Sequence, residues 1–398
     1  MDADRGETGA EAGESGAKQR IVLFGSYAPS LVNFRGALIA ELTGLGHDVF
    51  ALAPDIDAAT ATAVRALGAE PVEVPLGRTS LNPLEAARTV RHLRRALGRI
   101  RPHLVIAYTI KPIVLAARAL RRRPGPGFVP MITGLGYALI GGSGAKRLLV
   151  RRLALPMYRR ALRRADLVIF QNPDDRRDFE RLGLLPPATP VGMISGSGVD
   201  VRHFAPAPLP PGAAFLMISR FLRDKGISEF GEAARRIRAE HPEVAVRLAG
   251  WLDASPDSIG VDELAAIEAG GVENLGMLAD VRTAIADCSV YVLPSYREGT
   301  PRSVLEAMAM GRAILTTDAP GCRETVIEGE NGLMVPPGDA DSLYRAMKRF
   351  VEEPHLRASM GAASRRLAES RFDVAAVNRV LLGHLGLAQP VSRTDPHR

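Results

Sequence analysis

The 398-residue chain has two cysteines, Cys288 and Cys322, with no Cys/His set near either, which argues against both a disulfide framework and a zinc site. It also lacks any uncharged apolar run of the ~18–20 residues needed to span a bilayer. The opening MDADRGETGAEAGESGAKQR is acidic and Gly-rich and has no basic-then-apolar order. Residues 1–19 are therefore expected to be a disordered extension, neither signal nor anchor, because nothing in them offsets the entropy of ordering. Gly25-Ser26-Tyr27 lacks the G-x-G-x-x-G fingerprint of a dinucleotide site, so hydride transfer has no support. No Ser/His/Asp set stands at a motif-bearing elbow, and Asp55-Ile-Asp57, though D-x-D in form, is a kind of triplet common in loops. Acids are nearly missing from residues 81–165, where nineteen Arg/Lys accompany Glu85 alone, within a net charge of +7. A reducing cytoplasm suits this composition.

What is present is a chain with 46% hydrophobic residues, long enough for two cores of about 150–200 residues each. RIVLF (20–24) stops at Gly25, an amphipathic stretch from Phe34 to Leu45 follows, and HDVFALAP makes a second short run. The pattern repeats through PVEVPL, a basic helix at Arg88–Arg99, PHLVIAYT, a helix near Ile113–Leu120, FVPMITG and ADLVIFQN. Alternating buried strands and helices predict a parallel sheet covered on both faces, a Rossmann-like domain over 20–205. Four prolines within 206–211 read as a semi-rigid linker. AFLMIS, VAVRLAG, ENLGML, SVYVLPS and AILTTD then alternate with helices in a second α/β domain over 212–370. Residues 371–388 predict a helix able to dock on the first domain, before a polar tail at 389–398. Two such domains place ligand in the cleft at the carboxyl ends of their strands.

The segment PSYREGTPRSVLEAMAMGRAILTTDAPGCRETV (294–326) carries the chemistry. The spacing of Glu298 and Glu306 means little alone, since 23 Glu in this chain should produce about one such pair by chance. Its context is more telling: a strand ends at a loop with Glu298 and Gly299, Thr300 is placed to cap a helix, and Pro301 suits its first position. A helix start beside a Gly-containing loop offers free N–H groups to sugar hydroxyls or phosphate. An ordinary capped helix with surface acids accounts for the spacing equally well.

Residues 294–326 resemble the E-x7-E segment of family 4 glycosyltransferases, retaining enzymes of the two-domain GT-B fold, in the branch of capsular and undecaprenyl-diphosphate N-acetylhexosaminyltransferases. IAYTIKP (106–112), ITGLGYA (132–138), QNPDD (171–175), SGVD (197–200) and SRFLRDKG (219–226) have counterparts there in the same order. The resemblance implies that Glu298 contacts the transferred sugar, near the backbone of Gly299, Thr300 and Pro301, and that Glu306 accepts hydrogen bonds from ribose hydroxyls. It implies that Arg220 and Lys225 neutralise the diphosphate, with Arg223 facing solvent, and it requires neither metal nor cofactor. In the first domain Tyr108, Thr109 and Lys111 follow a strand and are expected to face the cleft, with His103 structural at the strand entrance. Many relatives carry His at the place of Tyr108, so a His-based role does not transfer. Gly134 and Gly136 suit close backbone approach to a ligand, or a plain turn. Gly25, Ser26, Asn33 and Arg35 form the first strand-to-helix loop, the expected wall of the acceptor channel.

GAKRLLVRRLALPMYRRALRRADL (144–167) sets Arg pairs among apolar residues at helical spacing, with Pro156 expected to interrupt or kink it. With Arg88–Arg101 and Arg121–Arg123 it could form one positive face for an anionic membrane surface within residues 81–165; a solvated helix face is the alternative. Nucleic acid is not expected, because no aromatic interleaving accompanies the charge. The reading is transfer of a hexose or N-acetylhexosamine from a UDP-linked sugar to a polyprenyl-diphosphate-linked saccharide, by a cytoplasmic protein on the inner face of the plasma membrane. A sugar-nucleotide epimerase of the same architecture and a catalytically inactive membrane-surface binder are the alternatives.

Overall fold

A computed structural model describes residues 17–77, 82–120, 125–134, 145–253, 255 and 257–388, with backbone only at 145–151 and 153. The first sheet is parallel and contains β1 (Arg20–Phe24), β2 (Asp48–Ala53), β3 (Glu70–Glu73), β4 (Leu104–Tyr108), β5 (Gly127–Ile132), β6 (Val168–Phe170) and β7 (Val191–Met193). Their order is β3-β2-β1-β4-β5-β6-β7, so the winding reverses between β1 and β4. Ile21, Val22, Leu23 and Phe24 of β1 are fully buried, as a strand covered on both faces requires. The covering helices are α1 (Pro29–Asn33), α2 (Gly36–Gly44), α3 (Ala58–Ala66), α4 (Pro83–Ile100), α5 (Ile110–Ala119), α6 (Ala145–Leu162) and α7 (Pro173–Arg181). The amphipathic stretch of 34–45 is thus α2 alone, with Phe34 and Arg35 at its joint with α1. Pro156 does not interrupt α6, whose last turn is held by Tyr158, Ala161 and Leu162 buried in the core.

The second sheet repeats the plan with β8 (Ala214–Arg220), β9 (Ala245–Trp251), β10 (Glu273–Gly276), β11 (Val290–Leu293), β12 (Ala313–Thr317) and β13 (Gly332–Val335). It runs parallel in the order β10-β9-β8-β11-β12-β13, with its reversal between β8 and β11. Around it lie α8 (Ile227–Glu240), α9 (Val261–Ala269), α10 (Arg282–Ala286), α11 (Arg302–Ala309), α12 (Ala340–Glu352) and α13 (Pro354–Leu367). The final helix α14 (Val374–Leu385) returns to the first domain, where Val377, Leu381 and Leu382 join the core beneath α2.

The prolines at 206–211 are not where the chain crosses between domains. Buried Arg312 donates to the carbonyls of Ala207 (2.7 Å) and Pro208 (3.1 Å), and Phe204 lies in the second core, so this stretch belongs to the second domain. The crossing lies upstream, at Gly196–Val199, and the return crossing at Phe372–Val374 pairs with it: Val199 N–H donates to Phe372 O (2.8 Å) and Val374 N–H to Val199 O (3.0 Å). Gly198, at φ +71°, must lack a side chain, since a Cβ would stand 2.6 Å from Val374 Cα.

Candidate active site

Both reversal points open toward the same cleft, where the loops after β8, β11 and β12 are stitched together. After Arg220 the chain makes a single 3-10 turn, Arg223–Lys225, and enters α8 through Gly226 at φ +73°. A Cβ at Gly226 would sit 2.2 Å from Pro294 O, so only glycine lets this turn pass beneath the end of β11. Tyr296 N–H (2.8 Å) and Ser295 Oγ (3.1 Å) both donate to Asp224 O. Thr316 Oγ1 donates to Leu293 O (2.7 Å), Thr317 Oγ1 to Ser295 O, and Glu298 N–H to Pro320 O (2.9 Å), fastening the loop to β12.

This stitching brings Lys225 Nζ to 2.5 Å from Glu298 Oε1, with both side chains under one-fifth exposed. Burial alone would lower the lysine pKa, but the carboxylates of Glu298 and Asp224 outweigh it and hold the ammonium above its ordinary range. Arg220 Nη1 lies 2.9 Å from Asp253 Oδ2 on the loop after β9, and Arg223 pairs at the more exposed rim with Glu263. Glu306, on the second turn of α11, is 8% exposed and accepts from Arg302 Nε at 2.7 Å. Its carboxyl pKa is raised by burial, which the Arg302 charge offsets only in part.

Thr300 does not cap α11. Pro301 occupies the cap position without a side-chain bond, and Thr300 Oγ1 turns instead to Gln171 O (3.3 Å) and Gly299 O (2.9 Å). The reason is contact with the first domain: Asn172 Nδ2 donates to Gly299 O (2.7 Å), and a Cβ on Gly299 would lie 2.4 Å from Thr133 O. Gly134, at φ +121°, faces the same point, 3.6 Å from Gly299 N by its absent Cβ. Gly136 lies outside the described residues.

On the first-domain wall, Ser26 Oγ is 3.0 Å from Thr109 Oγ1, and Thr109 is held at φ +67°, a conformation a β-branched residue rarely adopts. Tyr108 does not face the open cleft. It is 3% exposed, its hydroxyl is 2.9 Å from Ser30 Oγ, and Gly25 presses so close that a Cβ would be 2.3 Å from that hydroxyl. An apolar ring here is drawn into the core under α1, where a smaller polar side chain would not fill the space. Arg35 is 4% exposed, stacks 4.9 Å from the Tyr108 ring centroid and donates to Ser197 Oγ (3.3 Å), while its Nε has no protein partner. Lys111 donates to Gly77 O (2.6 Å), and Asn33 is exposed at the end of α1. His103 Nδ1 accepts from Arg20 N–H (2.9 Å) at the base of β4, and Asp57 caps α3 by accepting from Thr60 N–H (2.7 Å).

Sequence reasoning missed three sets of residues. Asp253 is the counter-ion of Arg220, and Arg302 covers Glu306 while reaching 5.3 Å from the Phe34 ring of the first domain. Arg297 and Arg323 meet Asp175, Asp178 and Asp174 across the cleft. Asp174 and Asp175 stood out in the sequence only as part of the QNPDD motif, and nothing in the pattern marked their partners.

Comparison with known proteins agrees with this arrangement. Residues 33–196 match the family described as "Glycosyl transferase 4-like domain" and residues 212–353 that described as "Glycosyl transferases group 1". The N,N'-diacetylbacillosaminyl-diphospho-undecaprenol alpha-1,3-N-acetylgalactosaminyltransferase of Campylobacter jejuni is 27% identical over 86% of this chain and 92% of its own length. The capsular polysaccharide glycosyltransferase CapM of Staphylococcus aureus is 26% identical over 39% of this chain and 41% of its own. A sucrose-phosphate synthase from Thermosynechococcus elongatus superposes with a TM-score of 0.76 at 20% identity, covering 92% of this chain and 98% of that one. HepE of Anabaena, in complex with UDP, superposes with a TM-score of 0.69 at 20% identity, covering 92% and 99%. With both halves matched in order and the same pair of facing sheets, the chain belongs to the family 4 glycosyltransferases of GT-B fold.

Proposed function

We propose that this glycosyltransferase moves a hexose or N-acetylhexosamine from a UDP-linked donor to a polyprenyl-diphosphate-linked saccharide, with retention at the anomeric carbon and without a metal. The observation that carries the reading is the Lys225–Glu298 pair, mostly buried at the β8/β11 reversal, with Arg220 at the end of β8 and Glu306 on α11. Lys225 and Arg220 would balance the charge that grows on the leaving diphosphate, each supplying roughly 3 kcal/mol of transition-state stabilisation. Glu298 would hold the sugar and Glu306 the ribose hydroxyls. No residue is assigned as a covalent nucleophile: substitution proceeds on one face of the sugar, the departing phosphate helping to take the acceptor proton. Closure of the two domains excludes water from the reacting centre.

The acceptor assignment draws support from the Campylobacter jejuni relative, whose name specifies a diphospho-undecaprenol saccharide. It also draws support from the first domain's surface. Arg91, Arg94, Arg95 and Arg118 surround an open cavity of about 460 Å³ between α4 and α5, and Leu84 at the start of α4 is 69% exposed. No helix among the described residues is long and apolar enough to cross a membrane, so we place the enzyme peripherally on an anionic inner leaflet through this basic face.

The test is a mass-spectrometric panel of UDP-sugars against polyprenyl-diphosphate-linked acceptors. A lipid-linked product one sugar heavier is the expected result. Release of an altered free UDP-sugar without acceptor would favour an epimerase instead, and absence of any binding, hydrolysis or transfer would overturn the proposal.

A further inference from the structure

The loop that carries Glu298 is held by residues of the other domain. Helix α7 is capped by Asn172, whose Oδ1 accepts from Asp175 N–H (2.7 Å), and this cap aims Asp174, Asp175 and Asp178 at the second domain. Arg297, the residue before Glu298, places Nη2 2.6 Å from Asp175 Oδ1 and 2.6 Å from Asp178 Oδ2. Arg323, beyond β12, places Nη1 2.6 Å from Asp174 Oδ2 while its Nε holds Asp318 at 2.6 Å. Asn172 completes the grip on Gly299 O, on the far side of Glu298. The residues on both sides of Glu298 are therefore held from the first domain, Arg297 by its side chain and Gly299 by its carbonyl.

These are not loose surface pairs. Asp175 is fully buried and Arg297 only 15% exposed, and Arg297 Nε finds no partner, so its position is set by the two carboxylates through Nη2. If the domains part, Arg297 loses both and the Glu298 loop keeps only its attachments to β12 and to the turn at Asp224. Beside the pairs lies a cavity of about 340 Å³, lined by Asp174, Arg177, Asp178, Arg181, Arg297 and Pro320.

We propose that Asp175 and Asp178, acting through Arg297, are positioning residues that give the Glu298 loop its working geometry, so that the donor site is complete only while the domains are closed. This rests on the transferase reading above. Open enzyme admits donor with Glu298 unfixed, and closure onto the acceptor aligns it, which limits loss of the sugar to water.

The experiment uses the full-length enzyme with Asp178→Asn, Asp178→Glu and Arg323→Gln, and UDP as the binding probe. Asp178→Asn should bind UDP within about twofold of the parent but lose about 100-fold in kcat, the scale of a misplacement near 1 Å. Asp178→Glu should recover most of that loss. In solution scattering Asp178→Asn and Arg323→Gln should show a larger radius of gyration than the parent. Unchanged kcat with unchanged scattering overturns the proposal, as does an equal loss of UDP affinity and turnover. If the parent transfers no sugar, the transferase reading fails separately, and the latch is then judged by scattering, where variants as compact as the parent overturn it. Arg323→Gln, at a partly exposed bridge, carries the test should Asp178→Asn fail to fold.

Discussion

Lys225 Nζ and Glu298 Oε1 stand 2.5 Å apart in a site where neither side chain is more than 17% exposed, so each is the other's principal counter-charge. Two long side chains from different loops would not be desolvated together for stability alone, because burial of an ion pair gives back little. Incoming donor can divide the pair, the ammonium going to phosphate and the carboxylate to sugar.

Glu298→Gln should therefore lower the pKa of Lys225. Burial pulls it down, and removing Glu298 takes away the largest opposing influence, leaving Asp224 to resist alone. Titration of isotope-labelled lysine by NMR should show Lys225 moving down in the variant. Lys225→Ala should cost roughly 3 kcal/mol in transition-state stabilisation, about 100-fold in kcat.

Nucleotide binding should weaken in mild acid. Glu306 has its pKa raised above the ordinary 4.5 by burial, so its proton returns earlier on acidification than that of a solvated carboxyl, and the protonated form is the poorer acceptor for two ribose hydroxyls. UDP affinity by calorimetry should be full at neutral pH and fall as pH drops through that raised value. Glu306→Gln should bind more weakly with this acid limb gone, and Arg302→Ala should move the limb to higher pH. A limb that persists in Glu306→Gln contradicts the assignment.

On the basic face, Arg91 and Arg95 are exposed and form no ion pair among the described residues. Replacing both with Ala should weaken sedimentation with phosphatidylserine vesicles by roughly 2 kcal/mol, about thirtyfold at low salt, and leave UDP binding unchanged. Equal binding of variant and parent would place the membrane contact elsewhere.

Both thiols should be silent in the native protein. Cys288 and Cys322 are each at most 1% exposed, and burial pushes each pKa up to about 12. At pH 8 a thiol reagent should label neither until denaturant is added, after which two should react.

Much of this was legible from the chain because buried strands in doubly wound sheets announce themselves as short apolar runs ended by Gly, and because SYREGTPRSVLEAM sits between two of them. What was not legible depends on the other domain. Thr300 reads as a cap, yet its hydroxyl is taken by Gln171 O, and no local pattern encodes a neighbour 129 residues away. Arg297 meets Asp175 over 122 residues, and isolated charges carry no address. Tyr108 reads as a cleft residue from its place at a strand end, but alternation says only which face it occupies, not that Gly25 leaves room beneath α1 to bury it. The crossing was misplaced because prolines mark stiffness, whereas Gly196 and Gly198 mark where two segments come close enough to pair.

That paired crossing limits how the enzyme can open. The two covalent connections between domains meet at one pin, Val199 against Phe372–Val374, and α14 is anchored beyond it on the first domain. Separating the domains by sliding would break both connections' hydrogen bonds at once, whereas swinging about the pin preserves them. A swing about this pin would open the cleft with both connections intact, and a chain cut after Leu367 would lose the second fixed point of its axis.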